Sequence, residues 1–69
     1  MNFNWIDDFS IKVDINKNEV VISANKEGLQ SLAEMCNALA NSEIIGEHIH
    51  LDQYNSLEDG SADLIISKS

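Results

Sequence analysis

Apolar residues along this chain change their spacing twice, and that change limits the fold more than any single residue does. From Phe9 to Ile15 the period is two, with Phe9, Ile11, Val13 and Ile15 on one side and Ser10, Lys12 and Asp14 on the other. This is the signature of a strand with one buried face. From Leu29 to Ala40 the intervals lengthen to three and four. Leu29, Leu32, Ala33, Cys36, Leu39 and Ala40 then share one stripe, and Gln30, Ser31, Glu34, Asn37 and Asn41 point elsewhere. Such a stripe predicts one amphipathic helix. The period of two returns from Glu47 to Asp52, where Ile49 and Leu51 alternate with His48, His50 and Asp52.

The connecting residues fit this succession. Asn16-Lys17-Asn18 reads as a turn in which an Asn takes the left-handed conformation, and Glu19 to Ala24 resumes as a second strand, completing a hairpin. Asn25 is suited to cap the helix from about Lys26, and Glu27 suits the positive end of the helix dipole. Asn41 and Ser42 end the helix, Ile44 or Ile45 is expected to fold back on its last turn, and Gly46 releases the chain into the third strand. After a loop from Gln53 to Ser61, a fourth strand carries Leu64 and Ile66 opposite Asp63, Ile65 and Ser67.

The expected order is β-β-α-β-β, an α+β two-layer sandwich with one four-stranded, mainly antiparallel sheet and the helix on one face. Its core face would bear Ile11, Val13, Val20, Ile22, Ile49, Leu51, Leu64 and Ile66. Strand orders 2-1-3-4 and 1-2-4-3 both satisfy antiparallel pairing. The 69 residues are read as a single domain. A chain of that size removes only about 60% of its unfolded surface from water, so one core must suffice.

Cys36 is the only cysteine, which excludes an intrachain disulfide and favours a reducing compartment. The opening residues Met1 to Phe9 lack a basic region followed by a long apolar run, and no apolar stretch reaches membrane-spanning length. The expectation is a cytoplasmic protein without membrane contact. Twelve acidic residues against four lysines give a net charge of -8, which repels phosphates and opposes direct nucleic-acid binding. A basic partner is favoured.

One helix shields one side of a sheet, so the other should present Lys12, Asp14, Val21, Ser23, His48, His50, Asp52, Asp63, Ile65 and Ser67. Phe3, Trp5 and Ile6 stand outside the strand alternation. They either pack on their own domain, form a homodimer surface or touch another protein. His48 and His50 lie about 7 Å apart at the strand rise, a spacing that lets two imidazoles share a metal ion with Asp52 or Asp63 as third ligand. A lone His-x-His is a weak metal signal, and the expectation is no metal and no cofactor. The chain has no Gly-x-Ser-x-Gly turn, phosphate loop or convergent Cys-His pair, so catalysis is not expected. In the long loop Leu57 should anchor inward, and Gly60 should supply positive φ. Tyr54, Glu58 and Asp59 combine an aromatic anchor with two carboxylates, a mix suited to a basic partner surface.

Two blocks carry a family resemblance. ISANKEGLQSLAEMCNALA contains Gly28-Leu29 and, after two residues, Leu32-Ala33, and GEHIHLDQYNSLEDGSADLII contains His48-Ile49-His50-Leu51-Asp52. Over Val20 to Lys68 the chain resembles the Immunity protein 32 family, small antidotes encoded beside bacterial polymorphic toxins. The resemblance implies a non-enzymatic protein that binds a cognate toxin domain inside the producing cell and blocks or distorts its active site. A nuclease, whose groove must be electropositive, is one toxin that suits an acidic antidote. His48, His50, Asp52, Tyr54, Glu58 and Asp59 are the expected contacts. Two other readings stand beside it: a small homodimeric metal- or ligand-binding module using His48 and His50, and an acidic nucleic-acid mimic that captures DNA-binding proteins.

Overall fold

A computed structural model describes residues 5–69, so Phe3 lies outside the described residues. β1 (Ile11–Asn16) and β2 (Glu19–Ala24) form an antiparallel hairpin with Ile11 opposite Ala24 and Asn16 opposite Glu19. Its two-residue turn places Lys17, not an Asn, in the left-handed region at φ 58°. α1 (Lys26–Ala40) follows, and β3 (His48–Leu51) and β4 (Leu64–Ser67) form a second antiparallel pair. Bonds from Lys68 N to Glu47 O (2.9 Å) and from Gly46 N to Lys68 O (2.8 Å) lengthen that second ladder by one step.

The α+β class and the element order agree with the sequence, but the strands make two ribbons of two rather than one continuous sheet. Neither anticipated four-strand order is formed. The side of β1 away from β2 is instead met by the segment leading into β4. Glu58 N donates to Ile11 O and Ala62 N to Val13 O, each at 2.9 Å, and Val13 N donates to the Ser61 hydroxyl at 3.1 Å. The loop thus supplies the hydrogen bonds that a neighbouring strand would have made.

Asn25 caps the helix with extended backbone, its side-chain oxygen accepting from Gly28 N at 2.7 Å. That same oxygen accepts from Ser10 N at 2.9 Å, while Asn25 Nδ2 donates to Asp8 O at 2.9 Å. The cap therefore also ties the helix start to the entry of β1. At the other end no basic residue lies in the last turn. Lys68 arrives from the end of β4 and donates to Ala40 O (2.8 Å) and Ser42 O (2.6 Å), placing a cation where the helix dipole is negative.

The helix is turned by about one residue from the expected stripe, roughly 100° about its axis. Gly28, Ser31, Met35 and Leu39 are buried, whereas Leu29, Ala33, Cys36 and Ala40 are exposed. Gly28 explains the rotation. A Cβ there would sit 2.4 Å from Ser10 O and 3.0 Å from Ile11 Cγ1, so only glycine lets the helix backbone settle this closely on β1. Ser31, read from sequence as lying off the apolar stripe, is fully buried; its hydroxyl donates to Glu27 O and accepts from Ile6 N, both at 2.9 Å.

The core comprises Ile11, Val13, Met35, Leu39, Ile49, Leu51 and Leu57. Trp5 and Phe9 stack with ring centroids 4.3 Å apart and pack against it, so the N-terminal aromatics of the described residues cover their own domain. Two expected core residues, Val20 and Ile22, are 61% and 41% exposed, and Ile15 beside them is 64% exposed. They share the helix-facing side of the hairpin with Ile11 and Val13, but α1 covers only the half of the ribbon nearest Gly28. Ile44 and Ile45 also remain exposed instead of folding back on the last helical turn.

Candidate partner-binding site

The loop between β3 and β4 is held at both ends and in its middle. Asp52 opens it: its Oδ1 accepts from Tyr54 N (2.9 Å) and Asn55 N (3.0 Å), and its carbonyl accepts from Ser56 N (3.1 Å) and Leu57 N (2.9 Å). Asn55 returns the contact, its Oδ1 accepting from Asp52 N and its Nδ2 donating to His50 O, both at 3.0 Å. Asx side chains favour such turns because their oxygen reaches backbone two and three residues on. Leu57 is buried as expected and plugs the loop into the core. Gly60 adopts φ 82°, also as expected, and its N–H donates to Gln53 Oε1 at 3.0 Å.

This clamping leaves Tyr54 at the tip, 89% exposed, with Glu58 and Asp59 on the return and also exposed. Glu58 is fixed through its backbone, donating to Ile11 O and accepting from Ser61 N at 3.1 Å. An aromatic ring and two carboxylates are thus displayed on a segment whose backbone is already ordered. Ordering before contact removes part of the entropic cost of binding. Asp52 is half-buried with one carboxylate oxygen engaged in the turn, so its main service is to shape the loop.

His48 and His50 project from β3 to the side opposite buried Ile49 and Leu51 and are exposed. Their rings meet different partners. His48 Nδ1 is 3.3 Å from Gly46 O, and His50 Nε2 is 3.0 Å from Asp63 Oδ2. Among the described residues no three His, Cys, Asp or Glu side chains are grouped to hold a metal ion. Cys36 is far from taking part, standing exposed on α1 beside a shallow groove of about 280 Å³ shared with Leu39, Ile66 and Lys68. The outer side of the hairpin carries the Lys12–Asp14 ion pair at 2.6 Å. No helix of the described residues is long and apolar enough to cross a membrane.

The sequence singled out the loop, its Leu57 anchor and the outer residues of β3 but missed the hydrogen bonds that hold the loop. Ser61, Asn55 and the Ile11 and Val13 backbones make them. Asn55 three residues after Asp52 was the one local signal available, since reciprocal Asx pairs mark turns.

The family model described as Immunity protein 32 matches residues 19–69, which begins with β2 and takes in α1, β3, the loop and β4. No curated protein and no solved structure matches the chain significantly.

Proposed function

The chain belongs to the Immunity protein 32 family, and from that premise we propose that it binds a cognate toxin domain inside the cell that makes both and neutralises it without chemistry of its own. The surface we assign to this contact is the clamped loop with Tyr54, Glu58 and Asp59, flanked by His48, His50 and Asp52 on the β3 side. The observation that carries the assignment is Tyr54: a tyrosine 89% exposed on a backbone held by the Asp52 turn and the bonds to β1. Tyrosine brings large contact area with few rotatable bonds and is enriched among residues that dominate interface energies.

Charge indicates the partner's character. A chain at -8 is drawn toward a basic domain, accelerating encounter and making it sensitive to salt. A nuclease, with its electropositive groove, is the toxin class this fits best.

The test is co-expression with the toxin domain encoded beside the gene, followed by titration of the purified pair. Rescue of growth, a saturable complex and weaker binding as ionic strength rises are the expected results. Growth arrest that the antidote does not relieve would refute the function. Rescue by a complex insensitive to salt and to changes at Tyr54, Glu58 and Asp59 would retain the function and refute the surface.

A further inference from the structure

β2 ends its ribbon with an open edge. Ile11 and Val13 turn their backbone groups toward Glu58, Ser61 and Ala62, so β1 bonds to β2 through Lys12, Asp14 and Asn16 and their partners Ser23, Val21 and Glu19. Alternation then directs the N–H and C=O of Val20 and Ile22 away from β1. Among the described residues no backbone hydrogen bond meets them there. The strand is apolar as well as unpaired: Val20, Val21 and Ile22 are 61%, 44% and 41% exposed, and Glu19 is its only charge. Bare edges are ordinarily guarded by proline, by an inward lysine or by a bulge. Here the ladder with β1 is unbroken and β2 has none of these.

We propose that this edge pairs with the β2 edge of a second copy, antiparallel about a two-fold axis at Val21, making a four-stranded sheet across a homodimer. In that register Val20 and Ile22 of one copy exchange N–H···O bonds with Ile22 and Val20 of the other, and Val21 faces Val21. Glu19 meets Ser23, so no like charges are opposed. Moving the axis to Val20 would set Ile22 against Asn18, and moving it to Ile22 would set Val21 against Ser23. Only the Val21-centred register keeps all three apolar residues against apolar partners. An axis normal to the sheet leaves the helix-facing sides of both hairpins on one side, joining the exposed Ile15, Val20 and Ile22 of each into one strip. The surface lies on the first ribbon, apart from the loop assigned to the toxin, so both can be occupied together.

The experiment uses the purified full chain alone, and its result is independent of whether a toxin is ever found. Sedimentation should show a reversible monomer–dimer equilibrium that shifts toward dimer as salt screens the net charge of -8 on each copy. Val21→Lys sets two cations face to face and should weaken the dimer by about tenfold or more. With Cys36→Ser as background, Val21→Cys should form a disulfide-linked dimer under mild oxidation, because opposed residues of a non-bonded pair sit about 4.5 Å apart at Cα. Val20→Cys in that background should not. A monomer at every accessible concentration, a Val21→Lys dimer as tight as the parent, or cross-linking at Val20 in preference to Val21 would each overturn the proposal. Should Val21→Lys fail to fold, the cysteine pair decides.

Discussion

The Ser61 hydroxyl accepts the Val13 N–H at 3.1 Å, 48 residues back along the chain, and both residues are buried. One side chain of the loop between β3 and β4 therefore replaces the carbonyl that a neighbouring strand would have offered to β1. Ser61→Ala leaves that N–H without a partner, and the expected loss is about 1–3 kcal/mol, the cost of an orphaned buried donor. For a chain of this size that is a fall in melting temperature of roughly 4–20 °C. Thermal melting by circular dichroism measures it, and amide exchange at Glu58 and Ala62 should quicken. An unchanged melt would show that water reaches Val13 freely.

Gly28 predicts a sign reversal. In an exposed helix interior, glycine to alanine stabilises by about 1 kcal/mol. Here the added methyl would lie 2.4 Å from Ser10 O, which is backbone tied to Asn25 N at 3.1 Å and cannot swing aside like a flexible side chain. Gly28→Ala should cost about 1–3 kcal/mol through overpacking. A variant more stable than the parent in urea would mean the helix rides higher on β1 than described.

The two ends of α1 differ in their exposure to mutation. Asn25→Ala removes the cap on Gly28, the acceptor for Ser10 N and the donor to Asp8 O, so about 1–2 kcal/mol should be lost. Lys68→Met removes a cation from the helix C-terminus but leaves Ala40 O and Ser42 O near solvent, and about 0.5–1 kcal/mol is expected. Denaturant titration of both variants compares them. The ordering fails if Lys68→Met proves the more damaging.

What could be read from the sequence was local. Strand periods, the Asn25 cap, the helix limits, buried Leu57 and left-handed Gly60 all follow from residues within a few positions of one another. What could not be read was the packing between distant segments. Leu29, Ala33 and Cys36 form a better apolar stripe than Gly28, Ser31 and Met35, yet the helix settles on the second set because a missing side chain permits closer approach and Ser31 finds Ile6 N–H. The backbones of Ile11 and Val13 carry no signal that they will bond a loop about 50 residues on. For the same reason Val20 and Ile22, alternating like core residues, give no sign that the helix stops short of them. The loop was legible as a candidate site from Tyr54 beside Glu58 and Asp59, and its rigidity was not.

The toxin contact gives the last prediction, and separating binding from folding is what makes it decisive. Tyr54 is 89% exposed and makes its only described hydrogen bond through its backbone N–H, so Tyr54→Ala keeps the Asp52 turn and should leave the melting temperature within about 2 °C of the parent. If the ring fills a pocket on the toxin, its loss should weaken the complex by about 2 kcal/mol or more, near thirtyfold. Glu58→Lys with Asp59→Lys changes the local charge by four units, while the bonds Glu58 makes to Ile11 and Ser61 are backbone and survive. That double variant should slow association and flatten its salt dependence. His48→Ala, on the flank, should have a smaller effect than either. Calorimetry and stopped-flow association with the toxin domain read these quantities. If His48→Ala abolishes binding while the loop variants bind normally, the toxin sits on the outer side of β3 and the loop is only its border.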